Sequence, residues 1–398
     1  MLLIVYIFNF VDRQILGILA GPIKAELRLS DTQMGMLGGL AFALLYSTLG
    51  IPLAALADHT RRTWVITGSL AVWSLFTAIC GLAGSFGLFF VARLGVGVGE
   101  AGGVAPSYAL IGEVFPARSR ARALAVYSLG IPLGSALGVL FGGYIAATVS
   151  WRTAFLCVGG AGLLFAPLFA LFVREPARAA RQEKAALRDT FAILARKPSF
   201  WLLSFGAGSS SMLGYGLAFW LPSLLKRSFG MELLAVSHFF GLLLLIGGTI
   251  GVLAGGWLGD RLGGRDRGAY ATVPAIAFVV AVPLFAAGLL SHSAWAAFLL
   301  FLLPQALAYV WLGPVLTAAQ HLVPASLRAT ASASFLLINN LIGVGFGALT
   351  IGALSDALTP HFGAEALRTA ILIALGFYLI AAALMALAAR HLRRDWID

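Results

Sequence analysis

Apolar residues along this chain gather in long runs of about 20, the length that crosses a bilayer as a helix, with short polar stretches between them. Such runs lie near 1–21, 33–57, 62–82, 86–111, 121–148, 152–173, 200–225, 233–258, 269–290, 294–317, 328–354 and 366–389. The pattern predicts an all-α integral membrane protein with twelve transmembrane helices. Alternation with a period of two, the mark of a half-buried strand, is not sustained.

Composition supports the same class. Of 398 residues, 60% are hydrophobic and 11% charged, against about 25% charged in an ordinary soluble domain. A net charge of +11 would suggest nucleic acid in a soluble protein, but here the basic residues follow a topological rule. Segments after even-numbered runs, with the C-terminus, hold 19 of the 27 Lys and Arg; segments after odd-numbered runs hold six. Positive charge collects on the cytoplasmic side, so both termini are expected there, with the plasma (inner) membrane as the site in a bacterium. The first run lacks a basic leader region and is expected to be a retained helix. Cys80 and Cys157 fall in separate apolar runs and suggest neither a disulfide nor a metal site. No metal, cofactor or nucleic acid is expected, and the chain is taken to be a monomer.

The longest polar segment, REPARAARQEKAALRDTFAILARKPS, separates two parts of similar length. It reads as a cytoplasmic linker, 174–199, carrying an amphipathic surface helix between bundles at 1–173 and 200–398. The two parts echo each other. ALADHTRR around Asp58 matches GGWLGDRLGGR around Asp260, 202 positions later, and FPARSRARALA matches VPASLRATASA at an offset of 208. Two echoes at nearly one offset point to a duplicated six-helix unit with a substrate site at the repeat interface.

The Gly, Asp and Arg pattern after the second and eighth runs resembles the signature of the major facilitator superfamily. NFVDRQILGILAGPIKAEL, LSDTQMGMLGGLAFALLYSTLGIPLAALAD and ARLGVGVGEAGGVAPSYALIGEVFP resemble its spinster branch. The resemblance covers essentially the whole chain. It implies two pseudo-symmetric six-helix bundles, alternating access, and transport of sphingosine 1-phosphate or lysophospholipid-like substrates, often proton-linked. His59 stands where the signature usually has Arg.

Charge inside the apolar runs is the main clue to chemistry. Asp12 and Arg13 interrupt the first run, and Arg93 and Glu100 the fourth. Each costs about 2.5–3.5 kcal/mol on insertion scales, so such residues usually face a bundle interior or a wet cavity. Asp12 and Arg13 point about 100° apart on a helix and cannot pair fully with each other, while Asn9 lies one turn away from both. Arg93 and Glu100 share a face two turns apart, with Ser107 continuing the row. Arg13 is expected to pair with Glu100, leaving Asp12 or Glu100 to take the coupling proton. A purely structural ion network is the alternative.

Asp58, Asp260, Arg61, Arg62, Arg261 and Arg265, with Glu113, are assigned by the resemblance to a cytoplasmic gate; solvated topology charges are the alternative. The second half has no charge at membrane depth. Its cavity candidates are Tyr215, Phe219, Trp220, Gln305, Tyr309, Trp311, Asn339 and Asn340. GVGEAG, residues 97–102, matches a dinucleotide fingerprint in letters but has no strand before it, so close helix packing is the better reading. GIPLGSALG, residues 130–138, resembles the antiporter motif of the superfamily, or Pro132 is a plain kink.

A charged half facing an aromatic half suits an amphipathic lipid or lipophilic small molecule moved with protons. Efflux of lipophilic drugs would use the same features. A receptor that binds without moving its ligand belongs to a different class, and no signalling output segment supports it. The six His are scattered at helix ends and loops without a catalytic constellation, which argues against an enzyme.

Overall fold

The computed structural model describes residues 1–115, 123–124, 126–175, 187–324 and 327–397, with the side chains of Asp58, 187–190 and Ala329 also outside the description. Every regular element among the described residues is helical. In order they are α1 (Leu2–Leu27), α2 (Asp31–Gly38), α3 (Leu40–His59), α4 (Arg62–Gly81), α5 (Phe86–Ala101), α6 (Val104–Val114), α7 (Gly130–Thr148), α8 (Trp151–Phe172) and α9 (Leu187–Ala195). There follow α10 (Pro198–Phe229), α11 (Leu233–Gly263), α12 (Ala269–Leu290), α13 (Ala294–Leu307), α14 (Leu312–Gln320), α15 (Arg328–Phe362), α16 (Ala366–Ala374) and α17 (Gly376–Asp395).

Among the described residues ten stretches are long and apolar enough to cross a membrane; the last, Thr330–Asp395, makes two spans, α15 and then α16 with α17, and the 32-residue α10 completes twelve. Several spans are broken into two helices. Gly39, at φ −118° and ψ −83°, divides α2 from α3, and Gly102 and Gly103 divide α5 from α6 directly after Glu100 and Ala101. Spans one, two, four, seven, eight, ten, eleven and twelve run two or more residues beyond the apolar stretch at one or both ends. The linker helix expected in 174–199 is represented by α9; residues 176–186 are outside the description. Arg118, Arg120 and Arg122 of the first echo motif are outside it too.

Serines start four helices. Ser30 accepts from Gln33 N–H while the Gln33 side chain accepts from Ser30 N–H, a complete capping box. Ser85, Ser150 and Ser293 accept from the backbone N–H three residues on. These hydroxyls satisfy donors that a helix leaves unpaired at its start.

Helix packing relies on small residues, as membrane helices commonly do. A side chain added at Gly134 or Gly138 of α7 would lie 2.6 Å from Ile7 O and 2.7 Å from Val11 O of α1. One at Gly159 of α8 would lie 2.5 Å from Ala78 N and Ser74 O of α4. These two pairs, α1 with α7 and α4 with α8, are the most extensive helix contacts in their unit. On the outer surface, Leu164, Leu171 and Trp295 are 70% exposed or more; with many other bare aliphatics they suit hydrocarbon, not water.

The chain divides into two compact units. One comprises Met1–Arg181, Ala218–Gly241 and Ala348–Asp356; the other comprises Gln182–Leu217, Leu242–Gly347 and Ala357–Asp398.

Candidate functional site

In the first unit α1 and α5 bring four ionisable side chains together in the core. Asp12, Glu100 and Arg93 are 1%, 0% and 2% exposed, so partners within the protein must stand in for water. The pairing is crosswise. Arg13 Nε on α1 donates to Glu100 Oε2 on α5 at 2.8 Å, and Arg93 Nη1 on α5 lies 3.9 Å from Asp12 Oδ2 on α1. Each helix therefore supplies one acid and one base. α1 packs mainly on α7 and α8, and long side chains reach from it to α5.

Further groups hold the cluster. Thr77 Oγ1 on α4 donates to Asp12 Oδ1 at 2.8 Å, and Arg93 Nε donates weakly to Leu37 O at 3.4 Å. The Arg13 guanidinium carbon lies 5.2, 4.9 and 4.7 Å from the ring centres of Phe10, Phe42 and Tyr46. Arg93 also faces Phe42, at 5.5 Å. These cation–π contacts soften the burial of a guanidinium.

Several buried polar atoms here have no hydrogen-bond partner: Asp12 Oδ2, Glu100 Oε1, Arg93 Nη1 and both amide atoms of Asn9. Most native buried polar atoms are paired, so a concentration of open ones marks a place where protons or water complete the bonding. Ser107, seven residues further along the span on α6, donates to Gly103 O at 2.7 Å, at the start of its own helix. The dinucleotide-like GVGEAG lies in α5. A side chain at Gly97 would strike Phe42 O, and one at Gly99 the Trp73 backbone, so these glycines serve helix contact. Pro132 is buried in the first turn of α7, where its missing N–H disturbs little.

A second polar centre escaped the sequence reading altogether. Asp31, at the start of α2, accepts two bonds of 2.7 Å from Arg227 at the end of α10, one of 2.5 Å from Lys24 and one of 2.8 Å from Ser355 on α15. Beside it the Asp356 carboxylate accepts from the N–H groups of Asp31 and Thr32, at 3.1 and 2.7 Å, and from Thr32 Oγ1 at 2.6 Å. An acid at the open start of a helix is favourably placed against its dipole. In the sequence Lys24 and Arg227 are charges between apolar runs; the fold gives Arg227 a partner 196 residues away.

The cavity candidates separate between the units. In the first, Phe219 packs edge-on against Trp220 at 5.0 Å, and Trp220 Nε1 donates to Ala348 O at 2.8 Å. Both rings are buried in packing, not left open on a wall as their aromatic character suggested. In the second unit Tyr215 and Tyr309 are half-buried, and Asn339 accepts from Ser211 at 2.9 Å while donating to Asn340 at 3.4 Å. There too Trp311 lies edge-on to Phe335, and Gln305 fills space beside Gly247.

Of the gate residues, Arg62 Nη1 meets Glu113 Oε1 at 2.5 Å. Glu175, not singled out in the sequence, accepts from the N–H groups of Arg62 and Thr63 and from Thr63 Oγ1, capping α4 from 113 residues away. Arg61 is exposed, and the Asp58 side chain lies outside the description. In the other unit Asp260, Arg261 and Arg265 are exposed, with Arg261 over the Trp257 ring at 5.1 Å. Among the described residues no ion pair joins Asp260 to a base. Asp266 takes that role instead, with Arg393 donating to both of its oxygens at 2.8 and 2.6 Å. Those bonds, with the Gly268 N–H, hold its carboxyl down to about 2.

A buried charge cluster in a twelve-span helical protein defines a membrane transporter, not an enzyme, and comparison with known proteins gives the same class. Residues 2–348 match the model of the Major Facilitator Superfamily, and the chain belongs to that family. Within it the chain is spinster-like. A crystal structure of a bacterial homolog to the human lysosomal transporter Spinster, inward-facing and unoccupied, matches with a TM-score of 0.90 at 30% identity, covering 100% of this chain and 97% of that one. The protein spinster of Drosophila melanogaster is 26% identical over 90% of this chain and 61% of its own length. An MFS-type efflux pump of Mycolicibacterium smegmatis is 35% identical over 98% of this chain and 91% of that protein.

Proposed function

We propose that this chain is a proton-coupled secondary transporter of an amphipathic, lipid-like substrate of the sphingosine 1-phosphate or lysophospholipid kind, working by alternating access. The observation that carries the coupling is the crosswise, fully buried set of Asp12, Arg13, Arg93 and Glu100, with Asp12 Oδ2 and Glu100 Oε1 lacking donors. Two acids and two bases balance in sign, and an added proton can be taken by either of the two acids. That makes the pair a natural place to load and release one proton.

The lipid class of substrate is what the sequence resemblance to the spinster branch implies, and the spinster relatives support membership of that branch. Both termini then lie in the cytoplasm of a plasma (inner) membrane, as the distribution of basic residues supports. The chain works as a monomer of two bundles, 1–173 and 200–398, joined by the linker, and the Arg62–Glu113 contact and the loop acids belong to the cytoplasmic gate. The Asp31 centre, at the opposite end of α1 from Met1, is the external counterpart of that gate. The mycobacterial efflux pump favours a second reading, export of lipophilic drugs by the same proton site.

Counterflow of a labelled lysophospholipid in proteoliposomes, with and without a pH gradient, tests both. Saturable movement that accelerates with the gradient, and is lost in Asp12→Asn, supports the lipid carrier. Movement of lipophilic cations alone turns the assignment to drug efflux. Asp12→Asn and Glu100→Gln proteins that still respond fully to the gradient remove the proton site.

A further inference from the structure

Thr77 has one hydroxyl hydrogen and two acceptors. Its Oγ1 lies 2.8 Å from Asp12 Oδ1 and 2.8 Å from Trp73 O, one turn back on its own helix. Threonines in helices commonly give their hydrogen to that carbonyl, and Thr48, Thr67, Thr148 and Thr272 do so here. Thr77 does so too, and its hydroxyl also touches an acid within the membrane. Both contacts are fully buried, Thr77 being 1% exposed, so no solvent competes for the hydrogen.

Two arrangements satisfy these positions without moving a heavy atom. With Asp12 ionised, the hydroxyl turns to the carboxylate and Trp73 O loses its extra donor. With Asp12 protonated, the carboxylic acid donates to Thr77 Oγ1 and the hydroxyl returns to Trp73 O. Hydroxyl bonding to the i−4 carbonyl bends a helix slightly, so the hydrogen's position is felt at Trp73. That residue is where α4 meets α5: a side chain at Gly99 would strike the Trp73 backbone, and one at Gly103 would lie 3.2 Å from its ring. Glu100 stands next to Gly99.

We infer that Thr77 is a positioning residue that reports the protonation of Asp12 to the α4–α5 contact, through the choice of its single hydrogen between Asp12 and Trp73. The inference rests on the proposed proton coupling at Asp12. Other groups also face this carboxylate: Arg93 and Glu100 from α5, Arg13 from its own helix and Cys80 from α4. From α3, Tyr46 faces Arg13. The titratable groups of α7 and α8 are Tyr144 and Cys157, both exposed, and Arg152, which is bound to Glu26. All of these remain in a Thr77 variant, so its effect isolates the hydroxyl.

Thr77→Val keeps the shape and removes the hydrogen. The ionised carboxylate loses a charge-assisted bond and the protonated one loses a weaker neutral bond. The balance moves toward the protonated form, and the pH midpoint rises by about one unit. Thr77→Ser restores the hydroxyl and the original midpoint. The midpoint is read twice: from the pH profile of proteoliposome counterflow, and from the carboxylic-acid carbonyl band in infrared difference spectra, assigned to Asp12 by its loss in Asp12→Asn. The band frequency should also change in Thr77→Val, because the acid loses its acceptor. A titrating Asp12 band with unchanged midpoint and frequency in Thr77→Val overturns the inference while leaving the coupling intact. Absence of any band that depends on Asp12 in the wild type overturns the coupling and the inference with it.

Discussion

Asp31→Asn should weaken the junction at the far end of α1 and can be measured without knowing the substrate. The native carboxylate is 3% exposed and holds a bidentate guanidinium and an ammonium, whose side chains are 28% and 31% exposed. Asparagine keeps the shape and the Ser355 bond but leaves two cations facing a neutral amide. Removing one member of a fully buried pair costs about 3–5 kcal/mol. Partial exposure of Arg227 and Lys24 lowers that to about 2 kcal/mol, a factor of roughly 30 in the equilibrium between joined and parted states. Spin labels at Ala25 and Glu232, both exposed and both in the first unit, would report it in protein whose exposed Cys157 is replaced by Ser. The wild type should give one short distance, and Asp31→Asn should add a longer population. Arg227→Gln in the Asp31→Asn background removes one of the unpaired cations and should recover part of the short distance. Distances that do not change in Asp31→Asn, or a double variant no closer to wild type than the single one, would refute the reasoning.

Glu100→Gln should flatten the pH dependence of counterflow while leaving expression intact, because Arg13 retains its stacking on Phe42 and Tyr46; a wild-type pH profile would oppose the coupling role. Gly138→Val places new atoms against Val11 O, at 2.7 Å for the first carbon, and should cost about 1–3 kcal/mol, seen as a lower melting temperature in detergent. At Asp266 the folded carboxyl is held at about 2, below an unfolded value near 3.9. Its contribution is therefore complete above about pH 4 and lost as pH falls toward 2; because the pair is exposed, Asp266→Asn should lower stability by no more than about 1 kcal/mol at neutral pH, checked by unfolding at pH 7 and pH 3. Glu175→Gln removes the charge that caps α4 and should destabilise that helix start by about 1 kcal/mol, visible as faster hydrogen exchange at Arg62 and Thr63.

Twelve spans, their order and the four membrane-depth charges were legible in the sequence, because long apolar runs and the cost of burying an ion leave few alternatives. Asp12, Arg13, Arg93 and Glu100 stood out for the same reason. Asp31 and Asp356 did not: each lies near the end of an apolar run, where an acid reads as solvated, and apart from Lys24 their partners lie 196 to 325 residues distant. Thr77 was hidden for a different cause. A threonine in an apolar helix is ordinary, and only the position of Asp12 beside it makes its hydrogen count. Phe219 and Trp220 show the converse, since aromatic character alone cannot tell a cavity wall from a packed core.

Crosswise pairing has a further consequence for the proposed coupling. In the arrangement seen here the cluster is neutral, with two acids and two bases, and one added proton makes it positive. A net charge among apolar side chains is costly, and the cost falls when water reaches the site. Proton binding and hydration of the cluster are then linked: a conformation that admits water binds the proton more tightly, and the proton in turn favours that conformation by the same factor. A dry state would expel the proton through the water-accessible side it opens to next. The open atoms of Asn9, Asp12, Arg93 and Glu100 are where such water would bond, so Asn9→Leu should weaken hydration without touching a charge. Its expected effect is a lower pH midpoint for transport, since the protonated state loses its solvent, and a midpoint at or above that of the wild type would show that hydration and protonation are independent.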